Sequence, residues 1–276
     1  MNTTKQTFMS ILRRSGIYHR LRTSVIYDLY LSLTNTKPLK DRKREVEFYR
    51  TLLNGFKPGD LIFDVGANIG DKTDSFLRLG ARVVAVDPDD RSQAILRQRF
   101  LRYRMNPKPV TIVGKAVGSK VDTEIMLVSA PGSVFNTLSK KEASLLSEAS
   151  HRPAQRSDCI EYIGEITVGT TTLDGLIEEF GLPFFIKIDV VGFELEVLRG
   201  LHCALPCLSF EIGLPESRQE LLQCVSILGG LSSSGRFNYT RDRRDGLTLD
   251  RWMDIQAFLQ VLRDCRDGPI EIFWKS

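Results

Sequence analysis

The chain has 276 residues, 42% hydrophobic and 26% charged, an ordinary soluble globular balance. The length suits one full α/β domain with an N-terminal extension better than two domains. No apolar stretch approaches the roughly 20 residues of a membrane span. The opening residues, MNTTKQTFMS, lack the apolar core of a secretory signal, so the cytoplasm is the expected compartment. Net charge is +4 but uneven: residues 1–50 hold eleven Lys/Arg against four Asp/Glu, a basic leader read as a mostly helical cap. Residues 51–276 are expected to form the main domain. Nucleic-acid binding is not expected, because the chain carries neither zinc-finger spacing nor an RNA-recognition signature. The five cysteines, Cys159, Cys203, Cys207, Cys224 and Cys265, are odd in number and irregular in spacing, and read as free thiols.

In chain order, residues 41–54 carry Val46, Tyr49, Leu52 and Leu53 at helical spacing, with Gly55 and Pro58 as stop signals. LIFDV (61–65) is a buried strand running into a glycine-rich turn, and 71–79 suits a helix. RVVAV (82–86) is a strand, 89–104 a basic helix, 109–117 a strand with its exit loop, and 124–129 another strand. Residues 131–160 are polar, with a short helix near 139–148; a segment of this kind is the expected insertion or lid. Residues 166–181 read as a strand end and a helix capped by Thr172 or Asp174. PFFIKIDVV (183–191) is the most apolar strand; a helix over 193–201, a strand over 207–212 and a helix over 216–229 follow. FNYTR, a helix near 252–264 and IEIFWKS close the chain, with that strand pair at one sheet edge.

Strands alternating with helices predict an α/β fold: a mostly parallel, doubly wound sheet with helices on both faces. Ligands in such sheets bind beyond the carboxyl ends of the strands, where strand order reverses. The turns after 61–65, 82–86, 109–114, 183–189 and 207–212 should therefore form one mouth.

The first of these turns reads Asp64-Val65-Gly66-Ala67-Asn68-Ile69-Gly70, and Asp87 ends the second strand, 21 residues after Gly66. An acid at that distance is placed to accept from both hydroxyls of a ribose. Without Asp87, the segment would read equally well as a tight strand-to-helix turn. A P-loop is disfavoured because Gly70-Asp71-Lys72-Thr73 has the wrong glycine spacing and an acid beside the phosphate position. A dinucleotide turn is disfavoured because Asn68 stands where the second glycine allows approach to pyrophosphate. S-adenosylmethionine has a ribose, an ammonium that Asp64 could bind, and no phosphate, so it fits best.

The segments FDVGANIGDKT (63–73), AVDPDD (85–90), TTLDGLI (171–177), FIKIDVVGFELEVLRGL (185–201) and LSFEI (208–212) together resemble the FkbM family of methyltransferases over roughly residues 45–276. The resemblance implies a Rossmann-like class I methyltransferase fold with an antiparallel edge strand. It also implies methyl transfer from S-adenosylmethionine to an oxygen of a small molecule or sugar. Carried onto this chain, Asp64, Gly66, Ala67, Asn68 and Gly70 would cradle the methionine part and Asp87 with Pro88 the ribose. Gly114 and Ala116 would lie near the adenine, and Asp189 would face the sulfonium and the acceptor. Asp189, Glu194 and Glu211 are the acids that could take the acceptor's proton. One departure stands out: the family usually reads D-V-E-G-F-E, whereas this chain has Val191 in place of the first glutamate. A nicotinamide-dependent oxidoreductase and a catalytically degenerate cofactor-binding homologue are the competing expectations. The histidines, His19, His151 and His202, do not cluster, so no metal site is expected. Lys187, two residues before Asp189 and on the same strand face, reads as a buried ion-paired lysine.

Overall fold

The computed structural model describes residues 29, 31, 36–104, 109–150, 160–265 and 268–276. Most of the basic leader, residues 151–159 of the expected lid, His19, His151 and Cys159 lie outside the described residues. The described chain runs α1 (Lys37–Leu52), β1 (Leu61–Val65), α2 (Asp71–Arg78), β2 (Arg82–Val86), α3 (Asp90–Arg99), a 3₁₀ turn (Leu101–Arg104), β3 (Val110–Val113), β4 (Ala116–Val117), β5 (Thr123–Val128), α4 (Lys140–Ser150) and β6 (Gly164–Thr171). It continues through α5 (Leu173–Phe180), β7 (Phe185–Ile188), α6 (Glu194–Arg199), β8 (Cys207–Leu214), α7 (Arg218–Leu231), β9 (Arg236–Thr240), α8 (Ile255–Asp264) and β10 (Gly268–Lys275).

The main sheet has the order β3-β2-β1-β7-β8-β10-β9. Its first five strands are parallel. β10 runs antiparallel between β8 and β9, so the reversed strand lies one place in from the edge and β9 forms the edge itself. β1 and β7 are buried at every position and apolar but for Asp64 and Lys187, as befits strands covered by helices on both faces. Order reverses between β1 and β7, and their register (Val65 with Ile188) brings the glycine turn beside Asp189. This is the Rossmann-like class I methyltransferase arrangement.

Ala116 and Val117, in the exit loop expected at the end of the strand over 109–117, form β4 of a second, three-stranded sheet, β4-β6-β5. Gly114 and Lys115 interrupt that run, and Ala116 and Val117 leave the main sheet to pair with Thr170 and Thr171. β5 and β6 form an antiparallel pair. The basic helix predicted over 89–104 stops at Arg99, where the 3₁₀ turn takes over.

Helix starts follow local chemistry. Asp89 accepts from the Ser92 N–H at 2.9 Å to cap α3, and Thr172, rather than Asp174, caps α5 by accepting from the Gly175 N–H at 3.0 Å. Asp174 instead meets Nδ1 of the exposed His202 at 2.7 Å. α1 is docked on the body through Tyr49, fully buried, whose ring lies 4.9 Å from Phe76 and 5.8 Å from Phe185. Of the five cysteines, Cys203, Cys207, Cys224 and Cys265 are free thiols. Among the described residues, no helix is long and apolar enough to cross a membrane, and no three His, Cys, Asp or Glu side chains gather as a metal site.

Candidate active site

The turns after β1, β2, β3 and β7 meet around a cavity of about 200 Å³. Gly66, Asn68, Asp87 and Asp189 line it, with an apolar share from Val86, Val117, Met126, Leu138 and Phe193. Gly66 has φ +81°, and a Cβ there would fall 1.9 Å from the Asp189 carbonyl oxygen. Only glycine lets the two strand ends close this tightly. Gly70, also at φ +81°, starts α2 where a Cβ would meet the rings and methyls of Phe100 and Leu96.

Asp87 is held by the turn it serves. Its Oδ2 accepts from the Asn68 N–H at 2.7 Å and its Oδ1 from the Asp89 N–H at 3.0 Å. Burial pushes its pKa up to about 6 against those stabilising bonds. Asp64 sits deeper, 1% exposed, with Thr73 donating to its carboxylate; burial raises it to about 6 as well.

Asp89, which the sequence reading did not single out, ties the loop 130–138 to this cavity. It accepts from the Gly132 N–H at 3.2 Å and from Asn136 Nδ2 at 3.0 Å. Asn68 Nδ2 donates to the Gly132 carbonyl at 3.2 Å, and Thr137 donates its hydroxyl to the Val191 carbonyl at 2.6 Å. The first part of the expected lid thus lies against the cavity, and Asn136 holds it there. Phe135 is half exposed and does not line the cavity. The signal for Asp89 was present: an acid three residues before Ser92 at a helix start is a capping pattern.

The predicted binding residues separate on inspection. Gly66, Asn68, Asp87, Pro88, Ala116 and Asp189 line the cavity. Gly114 does not line it; a Cβ there would strike the Gln93 side chain at 2.4 Å, so that glycine serves close packing. Ala67, Gly70 and Asp64 stand behind the lining. Val191 lines the cavity in a left-handed conformation, φ +53°, uncommon and strained for a β-branched residue. Gly192 beside it, φ +77°, leaves room for the Glu142 side chain.

The three candidate acids diverge too. Asp189 Oδ2 lies 3.4 Å from Nζ of the fully buried Lys187, and the same Nζ is 3.6 Å from Glu271 Oε1. Burial alone would lower the Lys187 pKa; Asp189 and Glu271 outweigh it and leave it raised. Glu194 is 4% exposed, does not line this cavity and accepts from the Gly192 N–H at 3.3 Å. Glu211 opens instead onto a second cavity, so the turn after β8 is not part of the first mouth.

Glu194 gives a measurable pH effect. Burial raises its pKa to about 7 from an ordinary 4.5. The folded chain therefore holds this proton where the unfolded chain has lost it. The stability so gained is complete below about pH 4.5 and is lost as pH rises toward 7. Glu194→Gln is expected to gain on the wild type by about 1–3 kcal/mol between pH 5 and pH 8, read from urea unfolding midpoints at both values. An equal offset at both pH values would refute it.

Strand order, with the glycine turn after β1 and Asp87 at the end of β2, defines the chain as a Rossmann-like protein of the class I methyltransferase type. The family model described as Methyltransferase FkbM domain matches residues 64–264, and the chain belongs to that family. The hexuronic acid methyltransferase AglP of Haloferax volcanii is 27% identical over 176 residues, a stretch spanning 63% of this chain and 63% of that protein. Among solved structures, precorrin-6y C5,15-methyltransferase from Geobacter metallireducens GS-15 aligns with TM-score 0.40 at 8% identity over 85% of this chain and 86% of its own. A TehB-like SAM-dependent methyltransferase from Corynebacterium glutamicum aligns with TM-score 0.41 at 9% identity, over 84% and 87%. Likeness at that level adds nothing to what the strand order shows.

Proposed function

We propose that this protein transfers a methyl group from S-adenosylmethionine to a hydroxyl oxygen of a small molecule or sugar. The observation that carries the reading is the charge of the first cavity. Among the described residues, Asp87, Asp89 and Asp189 line it against a single lysine, Lys115. Such a wall attracts a cationic, phosphate-free nucleoside and repels the pyrophosphate of a nicotinamide dinucleotide. Asp87 would accept from the ribose hydroxyls, the apolar side chains would flank the base, and the aspartates would favour the positive end. The relative that methylates a hexuronic acid supports a sugar among the acceptors.

When bound, the donor supplies a methyl group on a sulfur that leaves readily. The chain's task is alignment of the acceptor oxygen with that methyl, which can be worth about 7–11 kcal/mol. The tight junction of Gly66 with Asp189 fixes one side of that geometry, and the loop 130–138 excludes water from the other.

Asp87→Asn keeps the shape but replaces one accepting oxygen with a donor. It is expected to weaken adenosylhomocysteine binding by about 10–100-fold, since hydrogen bonds to a charged group are worth roughly 1.5–3 kcal/mol. Unchanged affinity by calorimetry would remove the ribose from this position.

The competing reading, a degenerate homologue, rests on Val191. A glutamate there would add a fourth carboxylate to a wall that already holds three. Val191→Glu is therefore expected to leave turnover within about threefold, well short of the 10²–10⁴ that a missing general base would restore. A rise of that larger size would mark the present chain as catalytically impaired.

A further inference from the structure

The loop 130–138 is joined to the Asp87 end of the first cavity by a closed ring of hydrogen bonds. Asp87 Oδ2 accepts from the Asn68 N–H at 2.7 Å, and Asn68 Nδ2 donates to the Gly132 carbonyl at 3.2 Å. The Gly132 N–H donates to Asp89 Oδ2 at 3.2 Å, and the Asp89 N–H returns to Asp87 Oδ1 at 3.0 Å. Each oxygen of Asp87 therefore takes one backbone N–H, and the two bonds together fix the rotation of the carboxylate. A carboxylate offers about four lone-pair sites, so one on each oxygen stays free for a neighbouring pair of hydroxyls.

Asn136 braces the long side of this ring, the two bonds made by Gly132. Its Nδ2 donates to Asp89 Oδ2 and to the Ala130 carbonyl, both at 3.0 Å, and its Oδ1 accepts from the Ser129 N–H at 3.0 Å. Both amide protons and the carbonyl oxygen are in use, which holds the side chain in one orientation. Asp89 is 7% exposed, and its Oδ1 is already committed to the cap of α3. Without Asn136, Asp89 Oδ2 would keep the Gly132 N–H and lose its shorter bond. A buried carboxylate that loses a partner shifts to recover one, and any shift of Asp89 moves the N–H that orients Asp87.

We infer that Asn136 is a positioning residue for the donor's ribose, acting on Asp87 through Asp89 and Gly132 and so setting how strongly the site prefers ribose to deoxyribose. The inference rests on the methyl-transfer reading and gives Asn136 a part in it beyond holding the loop. Donor recognition then draws on the chain between β5 and α4 as well as on the turns after β1 and β2.

Equilibrium binding of adenosylhomocysteine and of its 2′-deoxy analogue to the full chain tests this. The deciding quantity is the ratio of the two dissociation constants, because a loosened loop that does not act through Asp87 weakens both ligands alike. The wild type is expected to prefer the ribose form by about 10–100-fold, the worth of a hydrogen bond to a charged group. Asn136→Ala is expected to lower that ratio by about fivefold or more, a coupling of ordinary size for residues in one network. Asn136→Asp, which sets a like charge against Asp89, should lower it at least as far. Adding Asn136→Ala to Asp87→Asn should change the ratio by less than about twofold, because the route is already cut. Phe135→Ala, in the same loop but outside the cavity lining, should keep the wild-type ratio. Equal weakening of both ligands by Asn136→Ala, or the same fall with Phe135→Ala, overturns the inference and leaves the donor site standing. A wild type that binds both ligands equally well overturns it too and takes the ribose off Asp87. A wild type that binds neither sinks the methyl-transfer reading along with it.

Discussion

Gly66→Ala is expected to destabilise the fold by about 3 kcal/mol or more and to abolish adenosylhomocysteine binding. Two independent costs combine. The left-handed backbone at φ +81° costs an L-residue roughly 1–2 kcal/mol. The new methyl would also sit 1.9 Å from the Asp189 carbonyl oxygen and 2.7 Å from its carbon, both backbone atoms that cannot swing aside. Forcing β1 and β7 apart adds about 1–3 kcal/mol and opens the junction that shapes the cavity beside Gly66. Gly230→Ala is the matched control. Gly230 lies within α7 with nothing near its missing Cβ, so alanine there should raise stability by about 0.5–1 kcal/mol. Urea unfolding of both variants decides the matter: the two must move in opposite directions, and a Gly66 variant within about 1 kcal/mol of wild type would show that the close approach is not needed.

The second large effect is at Lys187. Lys187→Met preserves length and apolar bulk but removes a charge that is 0% exposed and faces two carboxylates. Glu271, 3% exposed, keeps Arg243 and Ser209 as partners but loses the cation that helps hold its pKa below the usual carboxylate value despite burial. Removing one member of a buried pair costs about 3–5 kcal/mol, because the partner charge stays behind unpaired. The expected loss for Lys187→Met lies in that range, and pairing it with Glu271→Gln should recover part of it. A loss below about 1 kcal/mol would mean that the pair contributes little.

Much of this organisation could be read from the chain. β1, β2 and β7 were legible because strands buried on both faces are mostly apolar runs, and Asp87 because it ends β2 about 20 residues after the glycine turn. Lys187 was legible because strand periodicity puts it on one face with Asp189. The register that sets Gly66 against Asp189 follows from pairing β1 with β7, which the fold class predicts. The rest depends on contacts that sequence order hides. Glu271 meets Lys187 from a strand 84 positions along the chain, and Arg243 meets Glu45 across nearly two hundred. Nothing local marks those residues. The second sheet escaped notice because a two-residue strand, Ala116–Val117, carries no periodicity. Val191 had a visible family departure, but its left-handed backbone is set by the turn and the Thr137 hydroxyl, not by its own preference. Glu211 was expected at a strand end, but β8 runs on to Leu214, and which cavity it faces depends on α1 and β10 folding around it.

The central claim is that the cavity beside Gly66 takes a phosphate-free, cation-bearing nucleoside held by Asp87. Isothermal calorimetry of the full chain, titrated separately with adenosylhomocysteine and with NAD, tests it most directly. The account predicts saturable heat with adenosylhomocysteine and none with NAD. Saturable heat with NAD and none with adenosylhomocysteine would contradict it.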